Sequence, residues 1–374
     1  MTKKFSFTLA DAKKFLNKKG LELFKKSYQI KSNGNIRSIY YTVLCGLTII
    51  MIFAAIPKLI NSQIFFIKSS DEVKNLSKSN LEKVLSGKQL NEENEEVDIT
   101  NVFEDIFQFE EIPTDTVRLS ASTVEQLFKE TNYNLDQVRK TKYVKPFILT
   151  LLPKEIKFIE SSKKRKNLFI QIILPLILEE NNQIKLDRRK LFGILNKNSN
   201  SEVEIKWLNK KFRQYGVKNK DVSTLKIRMD EIPVSLAIAQ AAKETGWGTS
   251  RFAIEGNALF GQWTFSGTGI KPLAADSDKT HKIMKFNILK ASVRAYQRNL
   301  NTHSSYRKFR KVRAIQRDNE EKLDSLILAN YLDEYAETGK EYTIILKKII
   351  KQNLLTDFDD AKLLPTSIKL KKLI

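Results

Sequence analysis

Carboxylates are the groups in this chain with the best claim to chemistry. Its 374 residues include two histidines, His281 and His303, and one cysteine, Cys45. That supply is thin for a zinc centre or a Ser-His-Asp relay, and it excludes an internal disulfide. The carboxylate in the most informative setting is Glu244, within EIPVSLAIAQAAKETGWGTSRFA. Pro233 suits a helix start, the Ala-rich run propagates the helix, and Gly246 suits its end. Glu244 then falls in the last turn, where the negative pole of the helix dipole disfavours an ionised carboxylate. Trp247 follows and supplies apolar surface. Both influences raise a carboxylic pKa, which is what a general acid at neutral pH requires. Position alone fits an exposed helix-end glutamate better, so the wider pattern has to decide.

The elements around Glu244 read as mainly helical. Apolar periodicity predicts helices over 205–215, 233–244, 289–299, 321–335 and 342–353. Between Phe265 and Phe286 the pattern breaks into Gly, Thr and Asp with an alternating KIMKF, the mark of a small hairpin lobe set into a helical domain. Upstream, residues 120–198 also read as helical. Their run LFIQIILPLIL (168–178) is too short to span a bilayer and carries Gln171 and Pro175, so it predicts a buried helix kinked at the proline. Residues 61–117 contain the acid-rich stretch NEENEEVDITNVFEDIFQFEEIPTD and read as a flexible spacer with a short helix. After Asp357 no pattern is usable.

Residues 39–56, IYYTVLCGLTIIMIFAAI, contain no charge and are about long enough to cross ~30 Å of hydrocarbon. Ten Lys and Arg precede them, against Asp11 and Glu22, so the positive-inside rule keeps the N-terminus in the cytoplasm. The long basic n-region and the lack of a clear A-x-A site favour an anchor over a cleaved signal peptide. The net charge of +22 calls for an anionic partner. Lys far outnumbers Arg, and there is no Arg-rich arm, RNP-like motif or zinc finger. A membrane surface or an anionic polymer fits at least as well as nucleic acid, which this topology keeps out of reach.

Five stretches together resemble the Bax family of bacterial proteins, which belongs with the glucosaminidases of glycoside hydrolase family 73 and the flagellar peptidoglycan hydrolases. They are AQAAKETGWGTSRFAIEGNALFGQW (239–263), HKIMKF (281–286), SVRAYQRNLNTHSSYRKFR (292–310), YAETGKEY (335–342) and KKRKNLFIQIILPLILEENNQI (163–184). The resemblance covers roughly 145–355. The ordered pair of E-[ST]-G-W-G-x-S and N-x-L-F-G-Q-W is specific, whereas a lone E-x-G-W is weak.

The resemblance implies a mainly α, lysozyme-like (α+β) domain with a small hairpin lobe that cuts β-1,4 links after N-acetylglucosamine. The general acid maps onto Glu244. Trp247, Asn257, Phe260 and Gly261 map onto the turn and strand that floor the cleft, and Tyr306 onto a tyrosine near the reacting sugar. For Trp247 and Phe260 simple core packing is an equal reading, and Trp263 either stacks on a sugar or covers the hairpin. A second carboxylate is normally needed. Asp278 is the first choice, Asp276 the second, Glu255 lies nearby, and assistance by the substrate's N-acetyl group would need none of them. His281 reads as structural, and Arg298, His303, Arg307 and Arg310 read as a solvated basic face. No metal or cofactor is expected. The resulting layout is a basic cytoplasmic segment (1–38), a transmembrane helix (39–57), an acid-rich linker (58–117), a helical Bax-type region (118–198), a glucosaminidase domain (199–356) and a tail (357–374). The partners expected are periplasmic peptidoglycan strands and the inner membrane, with no nucleic acid.

Overall fold

The structure is a computed structural model. It describes residues 102–103, 106, 116–264, 269–270, 282–319 and 322–365, the side chains of 263, 264 and 269 excepted. All of these belong to the unit Asn91–Ile374. The expected cytoplasmic segment and membrane helix (1–57) lie outside the described residues. Among the described residues no helix is long and apolar enough to cross a membrane.

Helix α1 (Ala121–Glu130) starts where the Ser120 hydroxyl accepts from the Thr123 N–H at 3.1 Å, and α2 (Leu135–Thr141) starts on Asn134 in the same way. After the short strand β1 (Tyr143–Val144) comes α3 (Ser162–Leu195), 34 residues long. Pro175 sits inside α3, as its position in the apolar run predicts. It has no N–H to give the carbonyl of Gln171 four residues back. The Tyr133 hydroxyl donates to that carbonyl at 3.1 Å, and the Gln171 amide returns a bond to the Tyr133 carbonyl at 2.6 Å. A long-range partner thus replaces the missing helical bond and pins the end of α1 to α3. From Leu168 to Leu178 every side chain but Gln171 is buried. At ~1.5–3 kcal/mol per fully buried large apolar side chain, this stretch is a major source of stability.

Helix α4 (Glu202–Gln214) opens with a capping box between Ser201 and Glu204, and α5 (Val222–Arg228) is capped by Asp221. Helix α6 (Val234–Thr245) is the central one. Ten of its twelve residues are buried, and Gly246 ends it in the left-handed region at φ 58°. Helix α7 (Arg251–Gly256) follows. The lobe is a three-stranded antiparallel sheet of β2 (Trp263–Thr264), β3 (Gly269–Ile270) and β4 (Lys282–Met284), with β4 in the middle. Helices α8 (Leu289–Thr302), α9 (Arg307–Asp318), α10 (Ser325–Leu328) and α11 (Lys340–Gln352) complete the helical body. The last strand, β5 (Lys362–Leu363), pairs in parallel with β1.

The helices expected at 205–215, 233–244, 289–299 and 342–353 form close to those bounds. The one expected over 321–335 does not. It breaks into α10 and two 3-10 turns, Ala329–Tyr331 and Asp333–Tyr335. There Leu328 and Leu332 are both fully buried, and their apolar spacing is met by turns rather than by a continuous helix.

One apolar core runs from Ala121 in α1 to Ala361 just before β5, so the expected boundaries at 198 and 356 do not interrupt it. Val102, Phe103 and Ile106, within the stretch read as a linker, are buried against Met284, Phe286, Ala291 and Ala295 at the root of the lobe. The basic face expected around His303 is corrected in part. Arg298 and Arg310 are buried, with guanidinium groups donating to backbone carbonyls: Arg298 to Val102 and Gln214, Arg310 to Leu300 and His303. Arg313 is also fully buried beside Asp230, where Arg188 and Arg317 converge as well. Burial would push the Asp230 carboxyl up, but the three guanidinium groups outweigh it and hold it below the usual range.

Candidate active site

Glu244 lies in the last turn of α6, one residue before the end of the helix. Its side chain is half-buried, and Oε1 accepts a hydrogen bond from the Tyr342 hydroxyl of α11 at 2.9 Å. Burial pushes the carboxyl above its usual range, while the Tyr342 bond and the nearby Lys243 ammonium pull the other way without cancelling the rise. One turn back on the same face, Gln240 is fully buried. It donates to the Tyr342 hydroxyl at 3.2 Å and accepts from the Tyr296 hydroxyl of α8 at 2.7 Å.

The other walls come from loops and turns. Gly261 has φ 61°, and a Cβ built there would stand 3.0 Å from Glu244 Oε2. The backbone therefore passes the carboxylate at a distance only glycine allows. Just before it, Phe260 is buried and stacked on Tyr296, with ring centroids 3.8 Å apart. The Phe260 carbonyl accepts from the Tyr335 hydroxyl at 2.9 Å. Tyr335 stacks in turn on Tyr342 at 5.4 Å and lies 5.9 Å from Tyr306. Burial pushes the Tyr306 hydroxyl up to about 12, and the charges of Glu334 and Glu244 push it the same way. At neutral pH these phenols are protonated, so Glu244 faces hydroxyl groups rather than charge.

The structure brings Glu244, Gly261 and Tyr306 together. Phe260 joins them through its backbone, while its ring belongs to the core. Asn257 is buried in the left-handed region at φ 49°, and its amide donates to the carbonyls of Phe286 and Asn287. In the described conformation it ties the loop to the exit of β4. Trp247, at φ 63°, turns its ring to the edge of Phe169 on α3, 6.1 Å away, with the Lys166 ammonium 4.9 Å over its face. Trp263 has its backbone in β2, and its side chain lies outside the described residues, as do Asp276, Asp278 and His281. Glu255 is exposed on α7 beside Arg251 at 3.5 Å. A cavity of about 220 Å³ between α3, α4 and α8, lined by Glu180, Asp187, Lys211 and Arg294, contains none of these groups.

Sequence reasoning missed Gln240, Tyr335 and Tyr342. Gln240 carried a signal, since it is the polar residue inside LAIAQAA one turn before Glu244. Tyr335 and Tyr342 delimit the matching stretch YAETGKEY, but nothing in it tells that the fold brings α11 and the preceding 3-10 turn back to α6, some hundred residues upstream.

A half-buried carboxyl with raised proton affinity, bound by one hydroxyl and closed in by phenols, keeps its proton to higher pH than a free glutamate and can deliver it to a ligand oxygen. The sequence profile described as "Glucosaminidase: Mannosyl-glycoprotein endo-beta-N-acetylglucosaminidase" matches residues 221–355, which hold all of these groups. The chain is 32% identical over 199 residues to "Protein bax" of Escherichia coli (strain K12). That similarity covers 52% of this chain and 71% of the relative. No solved structure matches significantly.

Proposed function

The chain belongs to the Bax family and carries its glucosaminidase domain, and on that premise we propose that it is a membrane-anchored peptidoglycan hydrolase with Glu244 as its general acid. The observation that carries the proposal is the setting of Glu244, a half-buried carboxyl whose proton affinity is raised by burial and which has one hydroxyl already bound to it. In this reading the glycan lies over Gly261, and Glu244 protonates the glycosidic oxygen as the C–O bond breaks after N-acetylglucosamine. Positive charge then develops at the anomeric carbon. A carboxylate of the hairpin lobe, Asp278 before Asp276, stabilises that charge or activates water, and Tyr306 stands beside the reacting sugar. Trp247, Trp263, Asn257 and Phe260 shape the cleft directly or from behind. Residues 39–57 hold the domain on the periplasmic side of the inner membrane, where its polymeric substrate lies.

The experiment is a digest of purified peptidoglycan by the full chain in detergent, with products read by mass spectrometry. Fragments ending in reducing N-acetylglucosamine are expected. Anhydro-muramyl ends would instead identify a lytic transglycosylase, and wall binding without products would identify a non-catalytic scaffold.

A further inference from the structure

Gln240 is fully buried, and a buried side-chain amide must find partners for its carbonyl oxygen and for its NH2. Here the partners form a chain of fixed direction. The Tyr296 hydroxyl donates to Gln240 Oε1 at 2.7 Å, Gln240 Nε2 donates to the Tyr342 hydroxyl at 3.2 Å, and that hydroxyl donates to Glu244 Oε1 at 2.9 Å. A phenol has one proton to give. With its lone pair occupied by the Gln240 amide, Tyr342 has its proton left for Glu244. Turned the other way, the amide would set its NH2 against the Tyr296 proton and its carbonyl would compete with Glu244 for the Tyr342 proton. Tyr296 is fully buried and gives its proton to Gln240 Oε1, so a turned amide would take away the acceptor of that proton inside the core.

We propose that Gln240 is a positioning residue for Glu244: acting through Tyr342, it aims a hydroxyl proton at Oε1 and so sets the balance between the protonated and ionised carboxyl. The inference rests on the reading of Glu244 as proton donor. The bond favours the ionised carboxyl, because a donated hydrogen bond is stronger to an anion than to a neutral acid. It therefore opposes the burial that raises the proton affinity of Glu244, and it supports the carboxylate left once the proton has moved to the glycosidic oxygen. Other groups facing Glu244 are Lys243 on its own helix, which favours the anion, and the phenols of Tyr306, on the 3-10 turn Ser304–Tyr306, and Tyr335, on the turn Asp333–Tyr335. Glu334, beside Tyr306, is the next charge outward. Asp276, Asp278, Lys279 and His281 of the lobe lie outside the described residues.

The test is the titration of Glu244 in the full chain in detergent, by 13C resonance of labelled glutamate carboxyls. The Glu244 signal is identified by its loss in Glu244→Gln. Alongside it, the basic limb of the pH profile of kcat/KM is measured. Tyr342→Phe should move the Glu244 midpoint up by about one pH unit, a tenfold change in its acid constant. Gln240→Met, apolar and of similar length, should move it up by less, and should add nothing in the Tyr342→Phe background, because its effect passes through that hydroxyl. Should Gln240→Met fail to fold, Gln240→Glu keeps the shape. Buried there, the new group is a carboxylic acid that lacks the fixed NH2 of the amide, so the Tyr342 proton is no longer aimed at Glu244 alone and the midpoint should again rise. A midpoint unmoved by either Gln240 variant, or an equal shift with and without the Tyr342 hydroxyl, would overturn the proposal. If the shifts appear while activity shows no basic limb, the positioning role stands and the reading of Glu244 as the acid fails.

Discussion

At the scale of single residues, the argument turns on how closely the chain passes one carboxylate. Adding a methyl group at Gly261 would strain a backbone at φ 61° and press on Glu244 Oε2 from 3.0 Å. Gly261→Ala should therefore lower kcat by about 10²-fold, the cost of a small misplacement of a reacting group. Its loss of stability should be modest, and melting curves beside initial rates separate the two. The pH dependence has a definite sign. Burial raises the Glu244 pKa, so the acid form persists to higher pH than for a free glutamate, and activity falls as pH rises through that raised value. The cap glycine and the alanine run placed Glu244 in the last turn of a helix, and the ordered motif around it, rather than that position, singled it out in the sequence. Tyr342 lay in a matching stretch, but nothing local assigned it a hydroxyl donated across 98 residues.

At the scale of elements, α6 is held in place at both ends. Its C-terminal end is closed by Gly246. Its N-terminal end is met from the tail by Asp359, which accepts from the Ser235 N–H and hydroxyl, both at 2.8 Å. Burial pushes the Asp359 carboxyl up to about 6, against the opposing pull of the Ser235 bonds. The folded state then binds a proton that the unfolded chain releases near pH ~4. Stability from this group is present below that pH and is lost as pH rises to about 6, by up to ~3 kcal/mol. Urea midpoints should fall across that window in wild type and flatten in Asp359→Asn. Helix α3 gives a second test. Tyr133→Phe strands the Gln171 carbonyl beside Pro175 and should cost about 1–3 kcal/mol in urea unfolding, the penalty for a buried group left without its partner. The proline inside the apolar run was readable in the sequence. The tyrosine that compensates for it, 38 residues upstream, was not. The tail offered no periodicity because its short 3-10 turn and two-residue strand are held by long-range contacts.

At the scale of the whole molecule, the glucosaminidase domain and the helical region before it share one core, so α3 is part of what positions the site rather than an appendage. Sequence similarity had already grouped them, but apolar patterning suggests separate segments because periodicity reports faces, not which faces meet. The membrane assignment makes its own prediction: alkali-washed membranes should retain the full chain, while a chain lacking residues 1–57 should be released. The central claim is tested most directly by digesting purified peptidoglycan with the wild-type full chain and with Glu244→Gln at matched folding. Loss of the general acid should reduce product release by about 10²–10⁴-fold with wall binding intact. Undiminished release from Glu244→Gln would contradict the account.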